Sequence, residues 1–176
     1  MFRRIHFLLF SKRIGPDMFL THWMLYFPIL AKYLCKAKFK YISNTALIRP
    51  GSYFICTDKI SIGENVIVRP GSFFMAPPDQ DGGEITIEKD VLLGSGVHIY
   101  TENHRYGNNI PVYELGYSKP REVKIRSGSW VGAGSIILPG VEIGENSVIG
   151  ALSLVNKNIE PNSLSAGNPV KKIRDI

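Results

Sequence analysis

Stepping by six from Ile125 meets Val131, Ile137, Ile143, Ile149, Val155 and Pro161 in turn. Four residues after each of these seven positions stand Ser129, Ser135, Val141, Ser147, Ser153, Ile159 and Ser165. An amphipathic helix needs apolar recurrence at three and four residues, and a half-buried strand needs it at two. A period of six fits neither alone. It fits short strands joined by tight turns, each sending one aliphatic side chain inward, stacked as a solenoid. Stretches such as Val131-Gly132-Ala133-Gly134-Ser135 supply small residues for the corners.

The same phase runs upstream through Ile87, Leu93 and Ile99, and through Ile62, Val68 and Phe74. Before Ile62 it is expected to continue weakly through Asn44, Pro50 and Cys56, with Ile48, Phe54 and Ile60 in the companion position. A gap of thirteen between Phe74 and Ile87 predicts a small excursion over 77–83. A gap of twenty-six between Ile99 and Ile125 predicts a loop thrown off the coil at about 102–122. The expected organisation is an arm over 1–43, the solenoid over 44–165 and a tail over 166–176.

Charge separates the arm from the body. Residues 1–40 hold eight basic side chains against Asp17 alone, whereas the other 136 hold 13 basic and 14 acidic ones. The arm is also apolar, with Phe19, Leu20, Trp23, Met24, Phe27 and Leu30 at helical spacing. Its apolar run over 18–31 is shorter than the ~20 residues a membrane span needs. The run over 5–10 is too short for a signal-peptide core, and no small-residue cleavage site follows it. Cys35 and Cys56 show neither metal nor redox spacing, so a reducing cytoplasm is expected. The basic residues accompany aliphatics and no nucleic-acid motif is present, so nucleic acid is not an expected partner.

Two stretches resemble a known family. One is Ser129-Trp130-Val131-Gly132-Ala133-Gly134-Ser135-Ile136-Ile137-Leu138-Pro139-Gly140-Val141, and the other is Ala166-Gly167-Asn168-Pro169-Val170-Lys171-Lys172-Ile173-Arg174. From about Ile60 onward the chain is similar to the hexapeptide-repeat acyltransferases, nearest the galactoside, maltose and polysaccharide O-acetyltransferases. The resemblance implies an all-β solenoid, a left-handed parallel β-helix of three hexads per coil, here with an N-terminal helical arm. It further implies a homotrimer, acetyl-CoA as co-substrate, a saccharide acceptor and direct transfer in a ternary complex.

Acetyl transfer to a hydroxyl needs a base for the alcohol proton, stabilisation of the oxyanion and a grip on the CoA phosphates. His6 and His22 lie in the arm, outside the repeats. His104 opens the long loop five residues after Ile99, where the resembled family keeps its catalytic histidine, and is the expected general base. Glu102 and nearby backbone carbonyls are candidates to orient it. Some relatives place an asparagine opposite this histidine. The upstream stretch Phe73-Phe74-Met75-Ala76-Pro77-Pro78 has none, which leaves the oxyanion group unassigned.

His98, six residues before His104, lacks a third histidine partner within the repeats, so no metal is expected and His98 reads as an outer-face residue. Trp130 is expected to touch acceptor or pantetheine. For CoA, the resemblance implies Ala133, Gly134 and Ala151 along the coil edge, and Lys157, Lys171 and Arg174 for phosphates.

Three function classes stand open: an O-acetyltransferase on a sugar or surface polysaccharide precursor, an acyl-CoA transferase acting on an amine, serine or an antibiotic, and a non-catalytic trimeric scaffold. His104 in an extended loop argues against the last. For the arm, capping of the solenoid and peripheral docking at the inner face of a membrane are both open, and the two are compatible.

Overall fold

The computed structural model describes residues 6–7, 10–78, 81–107 and 109–176. Arg3, Arg4 and part of the run over 5–10 lie outside the described residues, as do Asp79 and Gln80 of the first excursion.

The hexads fold as short parallel strands stacked on three faces of a left-handed β-helix. The first face carries β2 (Tyr41–Ile42), β5 (Ile60–Ile62), β8 (Ile85–Ile87), β11 (Val123–Ile125) and β14 (Glu142–Ile143). The second carries β3 (Leu47–Ile48), β6 (Ile67–Val68), β9 (Leu92–Leu93), β12 (Trp130–Val131), β15 (Val148–Ile149) and β17 (Ser163–Ala166). The third carries β4 (Tyr53–Ile55), β7 (Phe73–Met75), β10 (His98–Tyr100), β13 (Ile136–Ile137) and β16 (Leu154–Val155). Each coil is one rung, and each strand pairs with the strand one rung above.

The inward positions are the hexad aliphatics. Ile62, Ile87, Ile125 and Ile143 stack behind the first face, Val68, Leu93, Val131 and Ile149 behind the second, and Phe74, Ile99, Ile137 and Val155 behind the third, all buried. The residue four places on turns the corner, and where it is serine its hydroxyl is buried too. Ser129, Ser147 and Ser153 donate to the carbonyls of Gly144, Glu160 and Gly150 at 2.8, 2.7 and 2.6 Å, which satisfies the buried hydroxyls.

Before Ile62 the register differs from the expected phase. The inward residues are Ile42, Ile48 and Phe54, not Asn44, Pro50 and Cys56. The step from Phe54 to Ile62 is eight, because Cys56 takes a left-handed conformation and a 3-10 turn over Thr57–Lys59 adds two residues. The first rung accordingly begins at Tyr41, three residues ahead of the boundary expected at 44.

Both ends of the stack are covered. The arm consists of β1 (Arg13–Ile14), α1 (Phe19–Met24) and α2 (Pro28–Lys38). β1 pairs antiparallel with β4 at the lower end of the third face. Ile14, Leu25, Leu34, Cys35 and Phe39 join the solenoid core, and the Phe39 ring meets Phe54 edge-on at 5.1 Å between centroids. At the other end, the residues expected as a tail over 166–176 are not a free tail. β18 (Lys171–Asp175) folds back antiparallel on β17, because the second face otherwise ends in unpaired backbone groups.

Candidate functional site

The long loop leaves the third face after Tyr100 and returns to the first at Val123. It is a two-stranded ribbon. Thr101 accepts from the Arg121 N–H at 2.8 Å, Asn103 from the Ser118 N–H at 2.7 Å, and Gly116 from the Arg105 N–H at 2.9 Å. The Ser118 hydroxyl accepts from the Asn103 N–H at 3.1 Å, so Asn103 serves the ribbon at its root. A single helical turn, α3 (Val112–Leu115), caps the tip.

His104 sits on the outgoing limb in a bridge with Tyr117, and its side chain is exposed. The two rings lie 4.3 Å apart between centroids, inclined by 34°. Glu102 is buried at the ribbon's root, so its carboxylate belongs to the loop's foundation and not to solvent. His98 lies on the outer surface of β10, half-buried, with Nδ1 3.1 Å from the Tyr100 hydroxyl. No group of three or more His, Cys, Asp or Glu side chains is placed to hold a metal among the described residues.

Ala133, Gly134 and Ala151 come together at the corner between the second and third faces, on successive rungs. The ladder there is dense: the Leu152 N–H donates to Ala133 at 2.8 Å and the Gly134 N–H to Ser95 at 2.9 Å. Rung spacing leaves no room for larger residues beneath. A Cβ on Gly132 would stand 2.5 Å from the Ala151 nitrogen. The Ala133 and Ala151 N–H groups donate to no protein acceptor among the described residues, and both residues are exposed.

Leu152 bounds this edge. It holds φ +59°, an uncommon conformation for a leucine, leaves 77% of its surface exposed, and passes over Gly134.

Lys171 and Arg174 lie on β18, opposite Ala166 and Leu164, and Lys157 follows β16. All three are exposed and free of ion pairs among the described residues, whereas Lys172 between them is held by Glu160 and Asp175 at 2.6 Å each.

Trp130 is half exposed on the outer surface of β12. It therefore belongs to the second face, while His104 leaves from the corner between the third and the first. One protomer presents these two residues on different sides of the prism. Tyr117 and Leu152 escaped the sequence reading. Tyr117 meets His104 only through the ribbon's register. Leu152 carried a faint signal, since the preceding rungs place glycine at the same corner position, in Gly96 and Gly134.

A family model described as bacterial transferase hexapeptide (six repeats) matches residues 122–157. A galactoside O-acetyltransferase of Escherichia coli K12 is 34% identical over 143 residues, 81% of this chain and 67% of that protein. A Saccharomyces cerevisiae protein named as an acetyltransferase is 36% identical over 76% of this chain and 65% of its own length. The chain thus spans from somewhat under half to two thirds of the curated relatives it matches. A galactoside acetyltransferase solved in complex with coenzyme A superposes with a TM-score of 0.76 at 28% identity, covering 89% of this chain and 79% of that one. A maltose O-acetyltransferase from Clostridium difficile 630 gives 0.74 at 27% identity, covering 89% and 84%. At the identity and coverage of the Escherichia coli relative, and with the repeat match, the chain belongs to the hexapeptide-repeat acetyltransferases.

Proposed function

We propose that the protein is an acetyl-CoA-dependent O-acetyltransferase acting on a hydroxyl of a sugar or surface polysaccharide precursor, with His104 as general base. The observation that carries this reading is His104 itself: an exposed imidazole against Tyr117 on a hydrogen-bonded ribbon, on a solenoid like that of a CoA-bound galactoside acetyltransferase. In this reaction the imidazole takes the acceptor's hydroxyl proton as the oxygen attacks the thioester carbonyl. The tetrahedral oxyanion then collapses, the C–S bond breaks, and the imidazolium returns the proton to the departing CoA sulfur. A base of this kind contributes typically ~10²–10⁴-fold.

The CoA would lie along the corner formed by Ala133, Gly134 and Ala151. Its pantetheine carbonyls would accept from the free N–H groups of Ala133 and Ala151, with the methylenes against Leu152. Lys157, Lys171 and Arg174 would meet the phosphates, with no existing ion pair among the described residues to break first. We further propose the homotrimer that the family resemblance implies, which would account for His104 and Trp130 standing on different sides of one prism. In it, His104 of one protomer faces the coil edge and Trp130 of the next.

The direct test incubates the protein with acetyl-CoA and a panel of galactosides, maltose and amino sugars, following thiol release and product mass. O-acetylated sugar formed by the wild type and lost in His104→Ala supports the reading. Acetylation of amino groups alone, or turnover that survives the substitution, overturns it. Hybrids of His104→Ala and Trp130→Ala protomers should regain activity if the two residues meet across an interface.

A further inference from the structure

Between the α1–α2 turn, α2 and the first rung lies a cavity of about 290 Å³. Leu25, Ala31, Ile42, Ala46 and Leu47 make its walls apolar, and Lys32, Lys36 and Arg49 line it as well. None of these three cations has an ion-pair partner among the described residues.

The outside of the same two helices is equally unusual. Phe19, Ile29 and Tyr33 are more than 70% exposed, Tyr26 65% and Trp23 48%. Single exposed apolar side chains are ordinary, but five large ones on two helices and the turn between them mark a contact surface. On α2, Ile29, Lys32, Tyr33 and Lys36 recur at helical spacing and so share one face, interleaving apolar groups with charge. From residue 18 to residue 57 the chain contains no aspartate or glutamate. The one arm carboxylate, Asp17, is taken up by Arg13 and the Tyr53 hydroxyl.

A partner for this face must supply negative charge and an apolar phase together. An anionic bilayer surface does both: phosphates meet the lysines, and the boundary between headgroups and acyl chains suits aromatic rings. A second copy would bring like charge against like. Nucleic acid would answer the lysines and leave Phe19 and Ile29 in water. No helix among the described residues is long and apolar enough to cross a membrane, so the contact would lie along the surface.

We propose that the α1–α2 hairpin docks on anionic lipid bilayers, seating its exposed aromatic and aliphatic side chains at the interface and Lys32 and Lys36 on lipid phosphates.

The test sediments the full-length protein with phosphatidylcholine vesicles, with and without phosphatidylglycerol. The protein should pellet with the mixed vesicles, stay free with the neutral ones, and be released as salt screens the lysines. Lys32→Gln/Lys36→Gln should weaken partitioning about thirty-fold, and Ile29→Ser/Tyr33→Ser should weaken it as well. All four side chains are exposed, so thermal melting should not move. Indifference to anionic vesicles at low salt, or binding untouched by both double variants, overturns the proposal. So does an oligomer that Ile29→Ser/Tyr33→Ser dissociates with no vesicle binding in the wild type, which would assign the face to a second copy. Because His104 takes no part in docking, turnover of a soluble acceptor reports separately on the proposed activity.

Discussion

The main chain of His104 bridges that of Tyr117 across the extruded ribbon, and the two rings face each other 4.3 Å apart. The contact restrains the imidazole on a loop that otherwise leaves it exposed. For the general base proposed above, the nitrogen must be held within reach of the acceptor proton, so that role would give this restraint a kinetic consequence.

His104→Ala should lower acetyl transfer at least about a hundredfold, while CoA affinity and melting temperature hold, because the side chain is exposed. Tyr117→Ala should lower kcat less severely with little change in KM for acetyl-CoA. Tyr117→Phe should recover most of the rate, since the ring supplies the contact. Steady-state kinetics on the three variants check this, and a Tyr117→Phe enzyme as slow as Tyr117→Ala would mean the hydroxyl matters instead.

Gly132→Ala tests the corner. The added methyl would stand 2.5 Å from the Ala151 nitrogen and 2.8 Å from its Cα, both backbone atoms of the next rung. Neither can swing aside, so the rungs must separate. A loss of about 1–3 kcal/mol is expected, as for other overpacked sites. Thermal unfolding should show it, and CoA titration should show weakened binding because Ala133 and Ala151 move apart with their rungs.

Beyond Val155 the phase slips, with Ile159 and not Pro161 beside Ile143. The hexads from Ile62 to Val155 were legible because their inward positions stay apolar and step by six on either side of the excursion and the loop. The first rung was not. Ile42, Ile48 and Phe54 do keep the six-residue step, but the 3-10 turn after Cys56 adds two residues and hides their phase from the rungs above. The place of His104 on the extruded loop was legible from its distance to Ile99. The burial of Glu102 was not, because it depends on how the ribbon folds onto the solenoid. The fold-back of β18 was hidden for a related reason: Lys171 to Asp175 are all exposed, and their pairing with β17 rests on backbone bonds that carry no side-chain pattern.

Removing the cations of β18 should separate phosphate binding from chemistry. Lys171→Ala/Arg174→Ala should raise KM for acetyl-CoA about tenfold or more, with kcat nearly unchanged, because charge-assisted bonds to phosphate are lost far from the reacting carbonyl. Lys172→Ala should leave KM alone, since that lysine already serves Glu160 and Asp175. Equal effects from both substitutions would remove the phosphate assignment.

The arm's attachment should weaken on acidification, through His22. Its Nε2 accepts the Gly51 N–H at 3.0 Å, tying α1 to the corner of the first rung, and an imidazolium cannot accept that bond. Burial pushes the imidazole below its ordinary 6.5, against an upward pull from Asp17. The unfolded chain therefore binds more protons than the folded one between the depressed value and 6.5, and there stability rises with pH. The full contribution is present above 6.5 and is lost as pH falls from 6.5 through the folded value. Melting temperature should consequently decline between about pH 7.5 and 5 in the wild type. His22→Ala should melt lower at the alkaline end, where the bond to Gly51 is missing, and should lose part of that slope. Protease nicking within α1 should rise over the same interval in the wild type alone. A wild type and a His22→Ala variant with parallel pH profiles would show that the imidazole's protonation does not govern the attachment.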